Sequence, residues 1–246
     1  MTMIPWLAPL LLLSVLAVAE SGAAQQPTAP APAAGDTREL VVLVHGMGRS
    51  RASMFTMGRV LEKNGYRVVN FGYPYRDSIP GLGRRLGATL DRHAGAAPRV
   101  HFVTHSLGSI LVRWVLVHHP PPVPGRVVML APPNQGSSAA DRYARWIGWL
   151  LPPIHELRTD STTTARTLIL PATAEVGVIA GTRDGKVSVA ESHLDGEREH
   201  IVVPSRHSFI MHRGDVRRLV LRFLATGSFG EEQGAGSPVD VRRPGG

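Results

Sequence analysis

The sequence predicts an α/β protein, a mostly parallel central sheet covered on both faces by helices. Short continuous apolar runs recur along it: ELVVLVH (39–45), VHFV (100–103), RVVMLA (126–131) and EVGVIA (175–180). Runs of this length, bounded by Gly or Pro and rich in Val and Ile, suit strands buried on both faces. Between them lie stretches with apolar residues at helical spacing, so strand and helix alternate, as parallel pairing requires.

The elements follow in order. Residues 39–45 form the first strand, stopped by Gly46, and Met54 to Asn64 a helix that ends at the Asn64-Gly65 signal. YRVVNFG (66–72) is the next strand and Leu82 to Ala94 the next helix. After the strand at Val100 come a turn, Thr104 to Gly108, and a helix bearing Ile110, Leu111, Trp114, Val115 and Val117. Strands follow at 126–131, 175–180 and 200–203, and Val216 to Leu224 closes the domain as a helix.

With 246 residues, 43% of them hydrophobic and 19% charged, the chain suits one sizeable core. The expected organisation is a signal peptide at 1–19, an Ala/Pro-rich linker at 20–37, a folded domain at 38–226 and a loose tail at 227–246. The apolar start ends in Ala17-Val18-Ala19, a small-x-small pattern that suits cleavage before Glu20 and export to the periplasm or beyond; an uncleaved membrane anchor is the alternative. The absence of cysteine excludes disulfides and thiolate chemistry. Net charge is +8, but the arginines are scattered and no basic face is interleaved with aromatics, so no nucleic-acid partner is expected.

Candidate functional residues follow strands, where ligands of parallel sheets bind. After the first strand comes His45-Gly46-Met47-Gly48, whose glycines let the backbone approach a ligand closely. After the third comes THSLG, a strand-turn-helix with Ser106 at the bend. A serine so placed stands above the sheet edge, and the helix N-terminus directs N–H groups at an oxyanion forming beside it. Asp184 follows the strand at 175–180, and His207 follows the strand ending at Val203, with His212 as the other histidine in reach. Serine needs an adjacent base, and a histidine base needs a carboxylate to hold its tautomer.

The order Ser106, Asp184, His207 is that of α/β-hydrolases. VVLVHGMGRS, THSLG, LAPPNQGS, DGKVSVAES and HSFIM together resemble a bacterial α/β-hydrolase of the esterase/lipase type. Thr104 departs from the family's G-x-S-x-G turn, where glycine is usual. The resemblance implies the α/β-hydrolase fold, with Ser106 as nucleophile, His207 as base, Asp184 as acid, and the Met47 and Leu107 N–H groups as oxyanion donors. It implies hydrolysis of carboxylic esters, lipid acyl esters among them, through an acyl-enzyme.

No cofactor is expected, and no metal: there is no His-Glu-x-x-His, and His118-His119 has no third ligand in view. The insert at about 137–167 is expected to be a small cap. Its Tyr143, Trp146, Ile147, Leu150 and Leu151 fall at helical spacings, and Tyr143, Trp146, Ile147 and Leu150, with Phe209 beyond the histidine, are the expected pocket or lid residues. The expected partner is a small-molecule ester or lipid, with peripheral membrane contact; the oligomeric state is not legible. The alternatives are a silent binding protein on the same scaffold, or a thioesterase or amidase.

Overall fold

The computed structural model describes residues 37–74 and 76–230. The expected signal peptide, most of the linker and the tail beyond Gly230 lie outside the described residues. Six strands form one sheet: β1 (Leu40–Val44), β2 (Arg67–Phe71), β3 (Val100–His105), β4 (Pro124–Leu130), β5 (Val176–Gly181) and β6 (Glu199–Val203). Their order is β2-β1-β3-β4-β5-β6 and every pairing is parallel. The helices are α1 (Phe55–Lys63), α2 (Ile79–His93), α3 (Leu107–His118), α4 (Ser138–Ile147), α5 (Thr164–Thr167), α6 (Val189–Ser192) and α7 (Gly214–Thr226).

Strand alternation divides the core between two faces. Val42, Val44, Phe102 and Met129 pack with Leu82 and Leu86 of α2 and Ile110 and Leu111 of α3. Val41, Leu43, Val103 and Leu130 pack with Met57 and Leu61 of α1 and Val220 and Phe223 of α7. Because both faces are covered, β1, β3 and β5 are buried throughout, which is why they read as unbroken apolar runs. The edge strands β2 and β6 are only half-buried over most of their length.

Two boundaries differ from expectation. α2 begins at Ile79, three residues early, because the Ser78 hydroxyl accepts from Gly81 N–H at 3.2 Å and Pro80 fits the first turn. The folded domain also runs past Thr226, at least to Gly230. Gly227, at φ +79, caps α7 by donating its N–H to Phe223 O at 2.8 Å. The chain then turns back, and Phe229 is fully buried against Phe223 with ring centroids 4.7 Å apart. Its N–H donates to Glu199 Oε2 at 2.6 Å, so Phe229 belongs to the core and residues 227–230 are not a loose tail.

Candidate active site

The site stands where the strand order reverses. β1 leads outward to β2 on one side, and β3 returns on the other side of β1. The connections leaving the carboxyl ends of β1 and β3 therefore diverge to opposite faces and open a crevice between them. Into it project the turn Gly46–Arg49 and the bend at Ser106.

Ser106 has φ 51° and ψ −123°, a conformation that L residues avoid and that costs about 1–3 kcal/mol. The surroundings hold it there. Ser106 N–H donates to Leu130 O at 3.0 Å, and Ser109 N–H donates to Ser106 O at 2.9 Å. A Cβ on Gly108 would stand 2.4 Å from Val44 O, so only glycine lets α3 start this close to β1. A Cβ on Gly46 would meet the His105 ring at 2.6 Å. Thr104, the departure from the glycine pattern, fits because its hydroxyl lies 2.7 Å from that of Ser109, where either can donate, and 3.4 Å from Val128 O. The extra bulk is satisfied behind the bend, where it leaves the nucleophile position open.

Asp184 and His207 meet across the ends of β5 and β6. His207 Nδ1 lies 2.7 Å from Asp184 Oδ2, with the carboxylate fully buried and the imidazole nearly so. A carboxylate can only accept, so Nδ1 carries the proton and Nε2 of the neutral ring is a lone pair. The other carboxylate oxygen accepts from Lys186 N–H at 2.8 Å and Val187 N–H at 2.9 Å, which fixes its orientation. His105 Nε2 donates to His207 O at 3.0 Å, and burial holds the His105 pKa well below the ordinary value, so that ring stays neutral. His212 forms no part of this cluster, since it lies in a 3-10 turn beyond the loop.

Ser106 and His207 line one cavity of about 350 Å³. No hydrogen bond joins Ser106 Oγ to the imidazole among the described residues. Met47 and Gly48 also line the cavity. Gly48, at φ +69, sits third in a turn closed by Arg49 N–H to Gly46 O at 3.2 Å, and such a turn leaves the N–H of its second residue, Met47, unengaged within it. Leu107 is the first residue of α3, so its N–H has no intrahelical acceptor. Met47 thus lines the cavity, and Leu107 follows Ser106 at the start of α3 without being part of the lining.

The segment between β4 and β5 roofs the cavity. Of its expected lining residues, Tyr143 is there and three are not placed so. Trp146 is 71% exposed and Leu150 36% exposed, and neither lines the cavity; α4 turns that stripe to solvent and ends before Leu150. Phe209, on the loop between β6 and α7, is 59% exposed and does not line the cavity either. The Ile147 side chain lies outside the described parts. Leu151 of the same stripe does line the cavity, and the rest of the apolar wall comes from Ala139, Ala140, Ile154, Leu157 and Val187. Small residues on the inner side of α4 and a 3-10 turn at 152–157 gave no helical stripe to read.

Arg113 was also missed, although a lone arginine in an apolar helix was a usable signal. It is 2% exposed and donates to Asn134 O, Asn134 Oδ1, Ala165 O and Leu168 O. Burial pushes its pKa down to about 10, still charged at neutral pH. It ties the roof to α3 through carbonyls alone.

No protein-family model and no curated protein matches the sequence. Solved structures do match. The mature lipase BlEst2 of Bacillus licheniformis is similar at 18% identity and a TM-score of 0.60, over 81% of this chain and 96% of that one. A lipolytic enzyme of the metagenome-derived pair LipS and LipT is similar at 15% identity and a TM-score of 0.61, over 78% and 94%. A hydrolase of the α/β superfamily from Xanthomonas campestris pv. campestris is similar at 15% identity and a TM-score of 0.56, over 76% and 99%. Parallel strand order, strained serine at the switch point and these likenesses agree: the chain has the α/β-hydrolase fold.

Proposed function

We propose that this protein is a serine hydrolase of carboxylic esters, with Ser106 as nucleophile, His207 as general base and Asp184 as the orienting acid. The observation that carries the reading is the Asp184–His207 pair at 2.7 Å, with its imidazole on the wall of the cavity that Ser106 also lines. In the first half-reaction His207 Nε2 takes the Ser106 proton while Oγ attacks the ester carbonyl carbon. The carbonyl oxygen becomes negative and accepts from Met47 and Leu107 N–H. The alkoxide leaves with the proton from Nε2, and an acyl-enzyme remains. Water then attacks with His207 again as base, releasing the acid and restoring Ser106. Asp184 holds the Nδ1 proton throughout and stabilises the imidazolium.

An apolar cavity wall supports an acyl chain as the group bound there. Trp146 and Trp149, the latter 83% exposed, flank the roof and support peripheral contact with a lipid surface. Among the described residues no helix is long and apolar enough to cross a membrane. Export is proposed on the Ala17-Val18-Ala19 ending.

A fluorophosphonate probe and p-nitrophenyl esters of rising chain length, with and without vesicles, test the reading. Native protein should be labelled and should cleave the esters. Ser106→Ala should lose labelling, with kcat down on the order of a million-fold. Folded native protein that takes no label and cleaves no ester would leave a silent binding scaffold instead.

A further inference from the structure

From the end of α6 to the start of β6, outside the cavity lining, His193, Glu197 and His200 each bring a ligating atom within 4.8 Å of the others. His193 Nδ1 is 2.6 Å from Glu197 Oε1, and Glu197 Oε2 accepts from Leu194 N–H at 3.0 Å. The His193 and His200 rings stack, with centroids 3.9 Å apart and planes 19° apart. The Ser192 hydroxyl donates to Val189 O at 2.6 Å, so it accepts from His200 Nε2 at 2.9 Å. His200 therefore carries its proton on Nε2 and keeps Nδ1 as a lone pair. Such a bond from the second ring nitrogen is what orients metal-binding histidines.

We propose that His193, Glu197 and His200 bind one divalent transition-metal ion, zinc by the chemistry of the donor set. Two imidazoles and a carboxylate are a recurrent zinc set, with water completing a tetrahedron. Its ligand atoms would stand about 3.4 Å apart, given bonds of about 2.1 Å. The half-exposed His193 side chain has room to close that gap. A single dication engages both rings and the carboxylate together. Such an ion would also brace the site, because Asn134 Nδ2 donates to Ser192 O at 2.9 Å and Gln135 Nε2 donates to His193 O at 3.1 Å. Those residues adjoin Pro133 and Ser137 of the cavity wall. No His-Glu-x-x-His marks the trio in sequence; its spacing is His-x-x-x-Glu-x-x-His.

The test is equilibrium dialysis of the chelator-stripped full chain against micromolar Zn²⁺, with bound metal counted by mass spectrometry and Tm recorded. One zinc per chain and a raised Tm are expected. His193→Ala and Glu197→Gln should each weaken binding about tenfold or more. The double variant His118→Ala/His119→Ala, remote from the trio, should bind as the native chain does. Native protein that takes up no zinc, or zinc retained equally by a His193→Ala/Glu197→Gln variant, would overturn the proposal. Neither result bears on fluorophosphonate labelling at Ser106.

Discussion

Replacing Gly108 by alanine separates helix preference from close packing. At an ordinary position in a helix, alanine is favoured over glycine by up to about 1 kcal/mol. Here the added Cβ would lie 2.4 Å from Val44 O and 2.8 Å from His45 O, both backbone atoms with no rotamer to swing away. Ordinary contact begins near 3.4 Å, so α3 and the end of β1 must part by about 1 Å. Overpacking of that kind costs about 1–3 kcal/mol and outweighs the gain in propensity. The larger effect falls on the chemistry. The displaced backbone leads directly to Gly46 and Met47, while Ser106 and Leu107 move with the helix. A misplacement of about 1 Å costs on the order of a hundredfold in rate, or about 2.7 kcal/mol of transition-state stabilisation. The assay is kcat/KM for p-nitrophenyl butyrate beside urea unfolding, with Gly95→Ala as control, since a Cβ at Gly95 meets nothing within 4 Å. If Gly108→Ala keeps kcat/KM within threefold of native and unfolds at the same urea concentration, the close approach of α3 to β1 is not what sets the site.

Three further outcomes follow from the same geometry. Asp184→Asn should keep the fold yet lower kcat on the order of ten-thousand-fold, because an amide can donate to Nδ1 and stabilise the wrong tautomer; a steady-state rate near native would refute this. Phe229→Ala should destabilise the protein by about 3–5 kcal/mol in chemical unfolding, whereas a residue in a loose tail would change nothing. Stability should fall as pH drops below about 6.5, where the unfolded chain's histidines take up protons while buried His105 does not. The slope is up to about 1.4 kcal/mol per pH unit for His105 alone, and burial lowers His45 and His101 in the same sense. Urea unfolding at pH 7.5 and 5.5 measures it, and equal stabilities would refute it.

What could be read from sequence depended on whether the physics was local. Strands buried on both faces announce themselves as apolar runs, so β1, β3, β4 and β5 were each visible to within a few residues. That Asp184 meets His207, and that Ser106 and His207 line one cavity, was legible because each of the three follows the end of a parallel strand, and such ends share one rim of the sheet. The cavity wall was not legible. Trp146 and Phe209 have the size expected of a pocket, but which side of a segment faces inward is decided by the roof's docking on α3, through Arg113 and carbonyls 21 to 55 residues away along the chain. Phe229 was lost for the opposite reason: two residues past a helix-capping glycine, in polar company, it carries no periodicity to distinguish it from tail.

The buried polar groups behind the bend explain how a site can depart from its usual pattern and keep its shape. Glycine two residues before the serine saves space. Thr104 fills that space and places its hydroxyl 2.7 Å from Ser109 Oγ, so the two side chains stand as a bonded pair. A buried hydroxyl is tolerated only with a partner, so the identity of residue 109 and that of residue 104 are one choice. Thr104 with an apolar residue at 109 would lose its closest partner, and Ser109 with glycine at 104 would lose its own. Arg113, one turn further along α3, is the same kind of choice at larger scale. Its charge is bound to the carbonyls of the roof, so it requires those carbonyls to stay where they are. Removing it would take the donor from the carbonyls of the buried residues Asn134 and Ala165. The bend at Ser106 and the roof over the cavity are thus held from behind by α3, by polar contacts that no apolar pattern encodes.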